Sequence, residues 1–128
     1  PYNKQLLEMN TTDFEAMALQ MVTGMTKDTS KQEIIKDWML QADRETYVYG
    51  YTDLLKLDLR EDLSKIKVPV TILAATEPYG YDTVKATYET QYKELAEYDI
   101  KFAEGSAHFI MYDQPLWFMD NLLNSLPK

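Results

Sequence analysis

Cysteine is absent from the sequence, which excludes a disulfide scaffold, a thiolate zinc site, an iron-sulfur cluster and a Cys nucleophile, and leaves the redox compartment unreadable. Histidine occurs once, at position 108, so a multi-histidine metal site is excluded as well. Long apolar runs are missing. The longest, Val68 to Ala75, contains Pro69 and Thr71 and falls far short of the ~18 to 20 residues of a membrane helix, so no membrane partner is expected. Basic residues are in deficit, 13 against 21 acidic for a net charge of -8. The deficit is shared by both halves, 7 against 12 up to Ser64 and 6 against 9 after it, which argues against a phosphate-backbone partner; nucleic acid is not expected. An initiator Met and a basic-then-apolar leader are lacking too, so the chain beginning at Pro1 is expected to be a processed, engineered or trimmed product. What is present, 45% hydrophobic and 27% charged residues over 128 positions, is the composition of one soluble globular domain or a piece of a larger one, able to bury roughly two-thirds of its unfolded surface.

The first half reads as helices. Thr12-Asp13-Phe14-Glu15 is a capping-box pattern, and Phe14, Met17, Ala18, Met21, Val22 and Met25 follow at spacings of three and four, one apolar stripe. Ser30-Lys31-Gln32-Glu33 repeats the capping chemistry ahead of Ile34, Ile35, Trp38, Met39 and Ala42. Asp43 is the expected cap of a third helix carrying Tyr47, Val48, Tyr51, Leu54 and Leu55 on one side, with Gly50 weakening the pattern. The charged run Asp58 to Asp62 reads as a solvated connection, since calcium ligation demands a Gly-containing loop of defined spacing.

Near residue 65 the texture changes. Val68 to Ala75 is short, β-branched and apolar on both parities, as in a parallel strand covered on both faces, with Pro69 confined to its start. Asp82 is the expected cap of a helix with Val84, Tyr88, Tyr92 and Leu95 on one face; Tyr98 to Ala103 is a second strand with alternating Ile100 and Phe102. Asp113-Gln114-Pro115 opens a closing helix that carries Phe118, Leu122, Leu123 and Leu126. The expected order is ααα followed by βαβα, an α/β chain with two parallel strands joined by a right-handed crossover. Two such strands are too few for a finished sheet.

His108 follows the last strand, where open α/β sheets place their sites, and it is the one ready proton shuttle of the chain. Met9, Met17, Met21, Met25, Met39, Trp38 and the Tyr47, Tyr49, Tyr51 cluster fit ordinary helix packing better than an adaptable substrate pocket, because their spacing is that of the buried stripe.

Asp58-Leu59-Arg60 through Ile66-Lys67-Val68-Pro69-Val70-Thr71-Ile72-Leu73-Ala74, and then Gly105-Ser106-Ala107-His108-Phe109-Ile110-Met111-Tyr112-Asp113-Gln114-Pro115, together resemble the C-terminal half of the α/β-hydrolase family over essentially the whole chain. The resemblance implies a partial α/β-hydrolase fold, with residues 1–64 as a helical cap-like region and residues 65–128 as the last two strands of the core. It implies that His108 is the general base of a serine esterase or related acyl hydrolase acting on a small ester-like substrate without a cofactor or metal. Glu77, in the Ala75-Thr76-Glu77-Pro78 turn after the first strand, is the matching acid, although the family's usual G-x-x-D pattern is not there. The G-x-S-x-G nucleophile elbow is also missing, and none of Ser30, Ser64, Ser106 and Ser125 has that setting. The chain by itself is therefore expected to be inactive, and to pair through the unpartnered edge of its first strand with the missing N-terminal half or with a copy of itself. Two other functions fit the sequence: a non-catalytic binding or interaction module, and part of a cap-bearing hydrolase with an Asp nucleophile, of dehalogenase or epoxide hydrolase type.

Overall fold

The computed structural model describes residues 2–126, which contain seven α-helices and one sheet of two parallel strands, a mixed α/β class. They divide into two compact units that meet in sequence between Leu57 and Asp58. None of the described helices is long and apolar enough to cross a membrane.

The first unit is helical: α1 (Tyr2–Glu8), α2 (Thr11–Thr23), α3 (Thr29–Gln41) and α4 (Arg44–Lys56). Three of them start on an Asx cap. Asn10, Asp28 and Asp43 accept the backbone N–H of Asp13, Ser30 and Thr46, each at 2.9 Å. Asp43 is the cap expected from the sequence, whereas Thr12 and Ser30 are not caps. In each case an Asn or Asp two residues upstream supplies the acceptor and starts the helix earlier, and the Ser30 hydroxyl donates to that Asp28 carboxylate at 2.6 Å. The short α1 has no periodicity long enough to predict it. It docks on α4, where Asn3 Nδ2 donates to Thr52 Oγ1 at 3.1 Å, and this tertiary contact stabilises a helix too short to persist alone.

Leu6, Phe14, Ala18, Val22, Ile35 and Val48 form the core of this unit. Phe14, Ala18 and Val22 are one side of the predicted α2 stripe, and Met17, Met21 and Met25 are half-buried beside them. The predicted faces of α3 and α4 are only partly covered: Ile34, Trp38, Leu54 and Leu55 are exposed. With α2 packed on α3 and α1 on α4, four short helices bury one narrow side each and leave the second apolar flank uncovered.

The second unit begins with a 3₁₀ turn (Glu61–Lys65) and continues through β1 (Val70–Ala75), α5 (Tyr81–Gln91), β2 (Tyr98–Ala103), α6 (Ile110–Asp113) and α7 (Pro115–Ser125). β1 and β2 pair in parallel, in a register that runs from Val70 opposite Tyr98 to Ala75 opposite Ala103. β2 keeps the expected limits and alternation, with Tyr98, Ile100 and Phe102 half-buried and Asp99 and Lys101 exposed. β1 starts two residues later than its apolar run, because Pro69 has no N–H for the ladder. It is not covered on both faces: only Ala74 is fully buried.

Asp82 does not cap α5. The N–H of Gly80 bonds to Thr76 O at 2.7 Å and Gly80, at φ 80°, takes the cap position itself, which leaves Asp82 inside the first turn. The closing helix opens at Pro115 as expected, as α7, and the separate one-turn α6 precedes it; Gln114, the residue before the proline, stands between them outside the helical region, at φ -139°. α7 packs on both strands, yet Leu122, Leu123 and Leu126 of its predicted buried face are exposed.

At the start of this unit Asp58 and Arg60 form a two-pronged pair, with Arg60 Nε donating to Asp58 Oδ1 at 2.8 Å and a second bond to Oδ2. The Arg60 hydrogen bonds hold the Asp58 carboxyl at about 2. A depressed folded pKa gives a contribution that is complete above the ordinary carboxylate value of ~3.8 and disappears as pH falls through the folded one. The Asp58 carboxyl carbon is expected to titrate near pH 2 by NMR; a midpoint near 4 would mean that the pair does not form.

Candidate functional site

The carboxyl ends of β1 and β2 form one rim, and the residues just beyond them are stitched together. Thr76 follows β1 and is almost fully buried. Its hydroxyl accepts the Gly105 N–H at 2.9 Å and lies 3.4 Å from Ala103 O, to which it donates. The next residue, Glu77, donates its N–H to Ser106 O at 3.0 Å. Beyond β2, the N–H of Ser106 returns to Ala103 O at 3.1 Å, closing a turn whose third residue, Gly105, has φ 76°. That turn needs a glycine at this place, since a Cβ there costs about 1–2 kcal/mol in the left-handed region.

His108 stands immediately past this turn and is exposed. Its ring meets Phe109 edge-on, with centroids 5.4 Å apart, and Phe109 stacks on Tyr112 at 5.7 Å. Glu77 is half-buried on the same rim. The structure therefore brings the two sequence-predicted residues to one edge of the sheet through the backbone bond between Glu77 and Ser106. It does not join them: no ion pair or side-chain hydrogen bond reaches the imidazole among the described residues.

No family model, curated protein or solved structure matches the chain.

What this rim can do follows from its own chemistry. An exposed imidazole can serve as a general base, but it needs a nucleophile to act upon, and the serines do not provide one. Ser106 is fully buried and donates its hydroxyl to Ala107 O at 3.0 Å. Ser30 donates to Asp28, Ser64 to Glu61 O and Ser125 to Asn121 O. All four hydroxyls are thus spent on local acceptors. Among the described residues no group of three His, Asp or Glu side chains converges as metal ligands would.

Two hollows of this unit lie away from the rim. One, of about 420 Å³, runs along α5 beside Arg60, Thr83 and Thr87, and one of about 300 Å³ lies at the opposite, amino end of the strands beside Val68, Pro69 and Glu97. In the helical unit the Met side chains are half-buried and Tyr47 is engaged in packing, whereas Trp38 and Tyr49 are exposed. Tyr47 meets Phe14 edge-on at 6.2 Å, stacks with Tyr51 at 6.2 Å and directs its hydroxyl to Met21 Sδ at 3.8 Å.

Sequence reasoning missed two residues of the rim. Thr76 reads from the sequence as part of a turn and Asp113 as a helix start, yet Asp113 Oδ2 accepts the Ala107 N–H at 2.7 Å. The signal for Thr76 was a hydroxyl at the end of an apolar strand, which must find partners once buried. For Asp113 it was an acid five residues after the sole histidine, within reach of the same loop.

Proposed function

We propose that this chain is the C-terminal part of an α/β-hydrolase, a helical cap-like region and the last two strands of the core, with His108 as general base for a serine nucleophile carried on a segment outside these residues. The observation that supports it most is the placement of the lone imidazole, exposed at the carboxyl end of the second of two parallel strands, where ligands of open α/β sheets bind. In this reading Glu77 orients the imidazole once the nucleophile is in place, and the substrate is a small ester-like molecule. The free edge of β1 is the side on which further strands join, supplied by the nucleophile-bearing segment or, in its absence, by a second copy of the chain.

The test is hydrolysis of an activated aryl ester by the purified 128-residue chain. No turnover above the uncatalysed rate is expected, because a base without nucleophile and oxyanion donors has nothing to activate. Turnover that His108→Ala abolishes would overturn the reading, since it would show a complete catalytic centre within these residues.

A further inference from the structure

We propose that Asp113, together with Thr76, positions His108 by holding the backbone from which the imidazole projects. The inference rests on the reading of His108 as a general base, and it concerns how that base is aimed. An exposed ring with no hydrogen bond of its own is placed only as well as its main chain. The main chain before it is held at every step. Gly105 N–H goes to Thr76 Oγ1, Ser106 O accepts from Glu77 N–H, and Ala107 N–H goes to Asp113 Oδ2. Ala107 O accepts the hydroxyl of the buried Ser106.

Two side chains from outside the turn carry this hold. Thr76 comes from the end of β1 and ties the turn to the sheet. Asp113 comes from the end of α6, and its own N–H bonds back to Phe109 O at 3.1 Å, so the segment from Ala107 to Asp113 is a closed ring with His108 inside it. The Asp113 bond is the stronger of the two, because a carboxylate accepting a backbone N–H makes a short, charge-assisted bond. The carboxylate acts on the peptide next to His108 and leaves the ring free to meet a nucleophile. That suits a general base, which must stand within hydrogen-bond reach of the proton it takes, where an error of about 1 Å lowers the rate ~10²-fold.

Because His108 is the only histidine, its ring gives a single set of NMR signals, and the intact chain can be studied without activity. Asp113→Ala is expected to speed exchange of the Ala107 amide at least about tenfold, the loss of one charge-assisted bond, and to abolish the His108–Phe109 ring contact. The amides of Ala74 and Ala103 keep their wild-type protection. Asp113→Asn, which retains a carbonyl acceptor, restores most of both signals. Thr76→Val has the same effect on the Gly105 amide, and Thr76→Ser reverses it. An Ala107 amide or a His108 ring unchanged in Asp113→Ala would overturn the proposal. So would an equal loss of protection throughout β1 and β2, which would make Asp113 a general stabiliser of the sheet. Failure of the hydrolase reading has a separate sign, turnover by the isolated chain, and leaves these amide and ring measurements as they are.

Discussion

Phe14→Ala is expected to destabilise the helical unit by about 3–5 kcal/mol, the range for removing a buried aromatic ring. Phe14 is 3% exposed and is the largest of the buried side chains between α2 and its neighbours. Tyr47 meets its edge, and the Arg44 guanidinium lies over its face, 4.0 Å from the ring centre, while donating to Met9 O. Removing the ring therefore empties a cavity and strands two partners at once. A helical unit of this size has only a few kcal/mol of net stability, so the loss is enough to unfold it at room temperature. The measurement is far-ultraviolet circular dichroism with urea titration, in which the variant loses helix content before denaturant is added. Phe14→Leu, which keeps most of the volume, is expected to lose less than about 1.5 kcal/mol. The phenol of Tyr47 gives an independent readout. Burial, and then the neighbouring Tyr51 and Tyr2 hydroxyls, push its pKa up, so in Phe14→Ala it returns toward the ordinary tyrosine value. A Phe14→Ala chain within 1 kcal/mol of wild type would show that the ring is not the keystone of this unit.

How much of this was legible beforehand differs from element to element. β2 was readable to its limits because Tyr98, Ile100 and Phe102 alternate with Asp99 and Lys101, a period that only a half-covered strand gives. The α2 stripe was readable for the equivalent reason at a period of 3.6. The caps were legible in kind but not in place, since Thr12 and Ser30 have the right chemistry while Asn10 and Asp28 get to the same orphan N–H groups first. Burial was the least legible quantity. Leu54, Leu55, Leu122 and Leu123 are apolar at helical spacing, and periodicity tells which face would be buried but not whether anything is there to cover it. At the candidate site, position after a strand pointed to His108, while Glu77 entered only through the family resemblance. The bonds of Thr76 and Asp113 were invisible because each spans a change of chain direction, Thr76 to Gly105 across the parallel crossover and Asp113 to Ala107 around a tight loop.

The wild-type chain is expected to associate through the open edge of β1, and Thr71→Lys to stay monomeric at the same concentrations. β1 is paired on one side only, and among the described residues no backbone bond reaches Val70–Ala75 from any segment but β2. Alternate residues of this strand thus direct N–H and C=O groups away from β2, and beside them lie Val68, exposed at 66%, and the half-buried Ile72 and Leu73. An edge of this kind, apolar and open, is a template for another strand. Two copies meeting about a two-fold axis must run antiparallel there, and the charges favour it: Lys65 and Lys67 precede the strand and Glu77 follows it, so each amino end faces an acidic carboxyl end, whereas a parallel pairing of copies would set like against like. Thr71 is exposed on the strand, so a lysine there leaves the folded unit intact. The symmetry repeats it on both partners and places two like charges in an apolar contact, which weakens the dimer by about two orders of magnitude. Sedimentation across a concentration series measures the effect. Thr71→Glu is expected to behave in the same way, and an equimolar mixture of the two variants to associate again, because the repelling pair has become an attracting one. Association of Thr71→Lys equal to wild type would place the contact elsewhere, and a wild-type chain that stays monomeric throughout the series would show that its open edge does not recruit a second copy.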